Sequence, residues 1–169
     1  TRNRTMLALF FDTGMRLNEV ITLCADQIHE DHILVHGKGN KERLVPVSPY
    51  LAKALMQYKA VRGGYFEGKL AEKYFFLSYR GKRMTGEAVE RIVKICGEEA
   101  RIRKEIRCSP HTCRHYYAQA QLKNVLDVYS LSRLLGHESI NITKRYLQGI
   151  QDESIIKMSV KTSPLMNLK

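Results

Sequence analysis

Residues 109–122 read SPHTCRHYYAQAQL, and this stretch predicts a helix with ionisable side chains in its first turn. Ser109 followed by Pro110 is typical of a helix start, because proline suits the first helical position. His111 and Arg114 are three residues apart, so both project from the same face near the N-terminus. Two donors beside the positive end of a helix can bind a phosphate group. The alternative interpretation is a surface histidine and arginine on a basic protein.

Helical periodicity extends over most of the remaining chain. Further helices are predicted at residues 2–11, 16–24, 50–61, 85–100, 127–135 and about 140–147. The helix at 50–61 follows a second Ser-Pro start, and the pair Gly63-Gly64 is expected to end it. A basic loop at residues 101–107 precedes the helix that carries His111. No internal repeat or interdomain linker interrupts this pattern.

One β-hairpin is indicated between the second and third helices. Apolar residues alternate at 33–35 and return at 44–47, and residues 37–40 read GKGN, which is turn chemistry. A short strand is also predicted at 74–77, followed by a turn at 79–82. The chain is therefore predicted to be one mainly α-helical domain with a small antiparallel β-hairpin or sheet.

The charge balance indicates a polyanionic partner. Of 169 residues, 28 are Lys or Arg and 17 are Asp or Glu, which gives a formal net charge of +11. An excess of this size suits nucleic acid first and an anionic membrane surface second. The composition, 44% hydrophobic and 27% charged, excludes a disordered chain. The longest apolar run, residues 6–11, is far shorter than the roughly 20 residues that span a membrane.

The cysteines do not indicate a disulfide framework or a metal centre. Four cysteines in a chain of this length are sparse, which favours reduced thiols in a cytosolic protein. Potential zinc ligands do crowd into eight residues, namely Cys108, His111, Cys113 and His115. Their spacing does not match the patterns of structural zinc sites, so no metal is expected.

Several other polar residues occupy positions where the predicted fold does not require a side chain of that type. Arg16 opens a helix, where its charge opposes the macrodipole, so a task or a partner such as Glu19 is expected. Lys38 lies between two glycines at the predicted hairpin tip, where close approach to DNA is sterically easy. His137 follows a glycine, and Tyr146 comes nine residues later. Taken singly, each has an ordinary interpretation, namely a solvated charge or a core tyrosine.

In chain order, these segments resemble the catalytic domain of the tyrosine recombinases, the phage integrase family. The segments are TGMRLNEV at 13–20, GKGNKERLVP at 37–46, HTCRH at 111–115, LGH at 135–137, and Tyr146. The resemblance covers residues 2–150. It implies the fold of DNA breaking-rejoining enzymes and a site-specific recombinase or integrase.

The resemblance also implies roles for individual residues. Tyr146 would be the nucleophile that forms a covalent 3′-phosphotyrosine, and Lys38 the general acid for the leaving 5′-oxygen. Arg16 and Arg114 would stabilise the phosphate, His111 would accept a proton, and His137 would bond a phosphate oxygen. The supporting residues implied are Glu19 and His115. No cofactor and no metal are implied.

Partners and organisation follow from the same resemblance. Double-stranded DNA is the expected partner, bound by a homotetramer of the full-length protein, and the isolated chain is expected to be monomeric. Residues 1–169 are expected to form a single catalytic domain with a C-terminal tail at 151–169. The chain starts at Thr1, so it is interpreted as a piece that lacks the family's N-terminal core-binding domain. No membrane association is expected, and the implied location is the cytoplasm of a prokaryote, at the nucleoid.

Two other functions are compatible with these residues. A type IB topoisomerase-like enzyme would use the same chemistry to relax supercoils as a monomer. A DNA-binding regulator could keep the fold without catalysis. The complete set of six candidate catalytic side chains favours an enzyme over the regulator.

Overall fold

The computed structural model describes residues 1–37, 42–124, 126–137 and 140–144. A two-stranded antiparallel sheet lies among helices, which confirms the predicted mainly helical class. The elements are α1 (Arg2–Thr13), α2 (Leu17–Ile21), a 3₁₀ turn (Ala25–Gln27), β1 (His32–His36), β2 (Glu42–Pro46), α3 (Pro49–Phe66), α4 (Gly86–Glu99), α5 (Pro110–Lys123), α6 (Val128–Leu135) and α7 (Ile140–Lys144).

The helix starts follow from local chemistry. In four helices the N-cap side chain accepts a hydrogen bond from the backbone N–H three residues later, which satisfies a donor with no partner inside the helix. These caps are Ser48, Thr85, Ser109 and Asp127. Both predicted Ser-Pro starts are thereby confirmed.

The predicted end of the third helix is wrong. α3 continues through Gly63 and Gly64 to Phe66, although each glycine costs about 1 kcal/mol relative to alanine. Contacts on either side offset this cost. The Arg62 side chain donates to two backbone carbonyls of residues 72–74, and the Tyr65 hydroxyl donates to the Tyr79 carbonyl.

The predicted strand at 74–77 is also absent, and the second helix is shorter than expected. Residues 74 and 77 make isolated bridges with different partners, Cys24 and Arg83. Phe75 and Phe76 are both buried, so the segment lacks the alternation that a strand on a sheet face requires. α2 ends at residue 21, four positions after it begins.

The predicted hairpin forms, as an antiparallel pair of strands. Ile33 pairs with Val45 and Val35 pairs with Arg43, and the side chains of Ile33 and Val35 are buried in the core. The turn between the strands includes residues 38–41, which lie outside the described residues.

Two apolar clusters make up the core. The large cluster joins α1, α2, the hairpin, α3 and α4, and its fully buried side chains include Leu9, Phe10, Ile33, Phe75 and Phe76. The small cluster lies between α5 and α6. Its buried members among the described residues are Tyr117, Ala118, Leu122, Leu131 and Leu135.

The two clusters meet closely at Gly14. This glycine ends α1 in the left-handed region, with φ of 61°. A Cβ there would collide with the ring of Tyr117 and lie 3.1 Å from Leu135. Only glycine therefore allows the end of α1 to approach α5 and α6 this closely.

Candidate active site

Arg114 lies at the junction of the two clusters. Its residue is only 6% exposed, in the second turn of α5. One terminal nitrogen donates to the Gly14 carbonyl at 2.6 Å, and the other donates to the Leu135 carbonyl at 2.8 Å. The guanidinium is therefore fixed in orientation by backbone oxygens at the ends of α1 and α6.

His137 lies against this guanidinium. It follows Gly136, whose left-handed backbone (φ 64°) turns the chain away from α6. The His137 Nε2 is 3.0 Å from a terminal nitrogen of Arg114, and its Nδ1 is 2.8 Å from the Thr143 hydroxyl. A guanidinium only donates, so Nε2 accepts and the proton is on Nδ1, which donates to Thr143.

The surroundings keep this imidazole neutral at neutral pH. Burial lowers the pKa of His137 from 6.5 to about 4, and the positive charges of Arg114, Arg16 and Arg43 act in the same direction. A phosphate would add negative charge beside this group of arginines. We therefore expect the His137 pKa to rise when an anion binds.

Arg16 and Glu19 form the partnership predicted from the sequence. The Glu19 carboxylate accepts from the Arg16 backbone N–H at 2.7 Å and from its guanidinium at 3.1 Å. The other terminal nitrogen of Arg16 donates to the Gly136 carbonyl at 3.1 Å. The Arg16 side chain is 44% exposed, so it is open to a ligand from solvent.

A third arginine completes the group. Arg43 on β2 donates from both terminal nitrogens to the two Glu19 oxygens, at 2.8 and 2.7 Å. Its Nε donates to the Leu134 carbonyl at 2.8 Å. The Arg43 side chain is 11% exposed and that of Glu19 is 7% exposed, so this pair is largely shielded from water.

The carboxylate of Glu19 stays ionised because of its two partners. Burial alone would raise its pKa, but the hydrogen bonds and charges of Arg43 and Arg16 outweigh burial and hold the pKa below its usual range. Within the described part of the chain, three guanidinium groups and one carboxylate thus surround the turn at Gly136. The net positive charge of this corner suits a bound phosphate diester.

The remaining predicted residues are not all placed. His111 and His115 are exposed on α5, on either side of Arg114 in the chain. Lys38, Tyr146 and the segment 151–169 lie outside the described residues. The structure thus brings together Arg16, Glu19, Arg114 and His137.

The potential zinc ligands, at which no metal is expected, do not share one environment. Cys113 is buried in the large cluster, where burial raises the pKa of its thiol to about 11, whereas His111 and His115 face solvent. Across residues 1–37, 42–124, 126–137 and 140–144, no three His, Cys, Asp or Glu side chains are grouped to hold a metal ion.

Sequence reasoning missed Arg43 and Thr143. Arg43 lies within the quoted segment 37–46, and its place on an exposed-looking strand gave no reason to single it out. One signal was available, since an acidic residue on a partly apolar helix needs a cationic partner when it is buried. Thr143 is fully buried, and the sequence offers no comparable signal for it.

Comparisons with known proteins identify the family of the chain. Residues 1–152 match the phage integrase family. The tyrosine recombinase XerD of Staphylococcus epidermidis (strain RP62A) is 33% identical over 165 residues, covering 96% of this chain and 55% of that protein. The chain therefore spans about half the length of the curated relatives it matches.

Solved structures give the same fold. The crystal structure of XerA recombinase superposes with a TM-score of 0.81 at 29% identity, over 96% of this chain and 58% of that one. XerH site-specific recombinase, bound to its palindromic difH substrate in a post-cleavage complex, superposes with a TM-score of 0.79. The XerH match is 23% identical and covers 94% of this chain and 45% of XerH.

No described helix is both long enough and apolar enough to cross a membrane.

Proposed function

The chain belongs to the phage integrase family, and from this premise we propose that it is the catalytic domain of a site-specific DNA recombinase. It would cut and rejoin strands through a covalent 3′-phosphotyrosine intermediate. The observation that carries the proposal is the convergence of Arg16, Arg114 and His137 on the turn at Gly136.

Phosphate binding would occur at this convergence. Arg114 is held by two carbonyls and Arg16 by Glu19, so both guanidiniums are oriented before DNA arrives. Orientation in advance is what makes fixed charge effective, because little reorganisation accompanies the reaction. The forked donors would bond the non-bridging oxygens and stabilise the additional charge of the pentacoordinate transition state.

Tyr146 would supply the nucleophile. Its phenol oxygen attacks the phosphorus while its proton passes to His111, and the bond from phosphorus to the 5′-oxygen breaks. Lys38 would donate a proton to that oxygen, which leaves as a 5′-hydroxyl. A 5′-hydroxyl from a second strand reverses these steps, because the phosphodiester bond energy is kept in the intermediate. His115 and Glu19 would serve as supporting residues.

His137 would change its hydrogen bonds during binding. In the free protein its Nε2 accepts from Arg114. A phosphate oxygen would replace His137 as the acceptor for that donor, and the phosphate charge would raise the histidine pKa. The imidazole could then take up a proton on Nε2. That N–H would donate a hydrogen bond to the same phosphate.

We expect the reaction to proceed without metal, because the two arginines supply the electrostatic stabilisation that a metal ion would otherwise give. Double-stranded DNA is the proposed partner, consistent with the net charge of +11 and with the substrate-bound XerH structure. Recombination would require a homotetramer of the full-length protein on DNA, located at the bacterial nucleoid. Residues 1–169 would be one catalytic domain with its tail at 151–169.

Covalent capture tests the proposal. The chain is incubated with EDTA and a pool of nicked duplexes with randomised arms, and products are separated on a denaturing gel. The nick lets the 5′-hydroxyl fragment diffuse away, so the adduct accumulates. We expect a protein–DNA adduct attached at Tyr146, and its loss in Tyr146→Phe. Tyr129→Phe is the matched control, since Tyr129 is an exposed tyrosine on α6.

Each contrary result points to a different function. An adduct that still forms with Tyr146→Phe would show that Tyr146 is not the nucleophile. DNA binding with no adduct would favour the non-catalytic regulator. Relaxation of supercoiled plasmid by the monomer, with no exchange between two duplexes, would favour the topoisomerase.

A further inference from the structure

Thr143 is a polar side chain that the fold buries completely. It lies on α7 and is 0% exposed, whereas its neighbour Ile142 is 44% exposed. A helix positioned by apolar packing alone would turn the isoleucine inward and leave the hydroxyl in water. The orientation of α7 is therefore explained better by a polar contact of Thr143 than by apolar burial.

That contact is with His137. The Thr143 hydroxyl lies 2.8 Å from His137 Nδ1, and a terminal nitrogen of Arg114 lies 3.0 Å from Nε2. Because the guanidinium only donates, Nε2 accepts, so Nδ1 carries the proton and donates to the Thr143 oxygen. The ring is thus held at both nitrogens, from α5 on one side and from α7 on the other.

The contact with Thr143 suits both charge states of the imidazole. The charged groups that face the ring are three guanidiniums, from α5, the start of α2 and β2: Arg114, Arg16 and Arg43. Glu19 pairs with the last two of these. When Nε2 takes up a proton, Nδ1–H remains a donor and the Thr143 oxygen remains its acceptor. Charging of the ring therefore changes the hydrogen bonding at Nε2 alone.

We propose that Thr143 is a positioning residue for His137: its hydroxyl oxygen holds Nδ1–H, so that Nε2 is the nitrogen presented to the phosphate. The inference rests on the proposed function, in which His137 bonds a phosphate oxygen. Thr143 itself does not touch the phosphate, because it is fully buried on the Nδ1 side of the ring. A hydrogen bond at one ring nitrogen decides which tautomer and orientation the other nitrogen presents.

Two substitutions separate the hydroxyl of Thr143 from its methyl group. Thr143→Val keeps the shape and removes the acceptor, whereas Thr143→Ser keeps the acceptor and removes the methyl. Hydrogen bonds with a charged partner are about twice as strong as neutral ones. Thr143→Val should therefore destabilise the imidazolium of the DNA complex more than the neutral ring of the free protein, and so lower the His137 pKa in that complex.

The first measurement needs no DNA. The full chain with isotope-labelled histidine is studied by nitrogen NMR near neutral pH, and the His137 signals are identified by their loss in His137→Gln. We expect the Nδ1–H tautomer in the wild type and in Thr143→Ser. In Thr143→Val the Nδ1–H loses its hydroxyl acceptor, so the signals should move toward a mixture of tautomers.

The second measurement follows cleavage as the pH is raised. Adduct formation on nicked duplexes selected from the randomised pool is timed in a single turnover. The rate should fall at alkaline pH, where His137 in the complex loses its Nε2 proton. We expect Thr143→Val to react about 10-fold more slowly near neutral pH and to begin this fall about one pH unit lower. Thr143→Ser should stay within about 3-fold of the wild-type rate.

A double-mutant cycle shows whether Thr143 acts through His137. Glutamine places a hydrogen-bonding group near the position of Nε2 and none near that of Nδ1. In the His137→Gln background, Thr143→Val should therefore change the rate by no more than about 2-fold and leave the pH profile unchanged.

Thr5→Val is the matched control. Thr5 is a second buried threonine, 1% exposed, and its hydroxyl donates to the Ala54 carbonyl at 3.1 Å, which joins α1 to α3. Its loss should lower the melting temperature and leave the pH profile of cleavage unchanged. If Thr143→Val does not fold, Thr143→Ala is compared with Thr143→Ser, because these two variants differ only in the hydroxyl.

Three outcomes would overturn the inference. An unchanged tautomer or an unchanged pH profile in Thr143→Val would show that the hydroxyl does not hold the ring. Equal slowing by Thr143→Val and Thr143→Ser would assign Thr143 to packing. Further slowing of His137→Gln by Thr143→Val would place the effect outside His137. A wild-type protein that forms no adduct would instead show that the proposed function itself fails.

Discussion

The large and small clusters are held in different ways. The large cluster is closed by apolar and aromatic contacts, such as Tyr58 stacked on Phe76 with ring centroids 5.3 Å apart. The small cluster packs closely against it at Gly14, and hydrogen bonds from Arg114 and Arg43 to carbonyls at residues 134–135 also link the two. Arg16, Arg114 and His137 therefore lie where hydrogen bonds from charged side chains supplement the apolar packing.

This arrangement gives the site residues two tasks. Arg114 links α1 to α6 through the carbonyls of Gly14 and Leu135, and Arg43 links α2 to α6 through Glu19 and Leu134. Hydrogen bonds from charged groups contribute about 1.5–3 kcal/mol each when they are well formed. A site built at the junction is thus fixed by the same bonds that fix the small cluster.

The largest effect on stability is expected when one buried leucine in each cluster is truncated to alanine. Leu9 and Leu131 are both fully buried, in the large and small clusters respectively. We expect Leu9→Ala to lower the free energy of unfolding by about 4 kcal/mol and Leu131→Ala by about 2–3 kcal/mol, because the small cluster can collapse around its cavity. Urea denaturation measures both, and equal losses would contradict the distinction.

Next in size is the close approach at Gly14. Gly14→Ala should lower the free energy of unfolding by about 2–3 kcal/mol, since the left-handed backbone and the Tyr117 ring both oppose a Cβ. The control is Gly86→Ala at the start of α4, where the new Cβ would meet Leu17 at an ordinary 3.5 Å. An unchanged free energy of unfolding for Gly14→Ala would mean that the clusters can move apart at this point without loss of stability.

A smaller effect should come from protonation at the junction. The folded pKa of His137 is lowered to about 4 from 6.5, so the unfolded chain binds more protons between these values. Stability should therefore be full above about pH 6.5 and decrease as the pH falls toward 4. Glu19, whose pKa is lowered, adds a further loss below its ordinary value of 4.5. The free energy of unfolding of the wild type and of His137→Gln, measured as a function of pH, tests this.

The variant separates the two contributions. His137→Gln should lose the decline between pH 6.5 and 4 and keep the decline below it. An unchanged curve would show that His137 does not titrate as the buried neighbour of three arginines.

The smallest effect on stability is expected for Arg16→Ala. This side chain is 44% exposed, and surface ion pairs contribute about 0–1 kcal/mol. Its cleavage activity should nevertheless fall by more than that of any cluster variant that folds, because the phosphate loses a forked donor. A large loss of stability would place Arg16 with Arg114 and Arg43 as a structural link.

The prediction of the fold succeeded where the signals were local. The Ser-Pro starts at 48–49 and 109–110 were found because a cap depends only on residues within one turn. The strand at 74–77 and the helix end at Gly63-Gly64 were wrong because neighbours distant in sequence decided both. Arg62 and Tyr65 hold the last turns of α3 from outside the helix.

The site divides in the same way. The pair of Arg16 and Glu19 could be predicted, because two residues three positions apart at a helix start lie close together. A cationic partner for Glu19 could be expected, but its identity as Arg43 could not, because Arg43 is 24 residues away and on a different element. The roles of Lys38 and Tyr146 remain predictions from the family resemblance.

The sequence by itself determined the helix starts, the presence of the hairpin, the positive charge and the family, because each depends on residue type and short spacing. The tertiary structure alone decided the hydrogen-bond partners in the site. Arg43 donates to Glu19, and Arg114 donates to the carbonyls of Gly14 and Leu135 and to His137. The physical reason is that hydrogen bonds over as many as 120 residues depend on how the apolar clusters pack. Residue types set which bonds are chemically possible, and packing selects the ones that form.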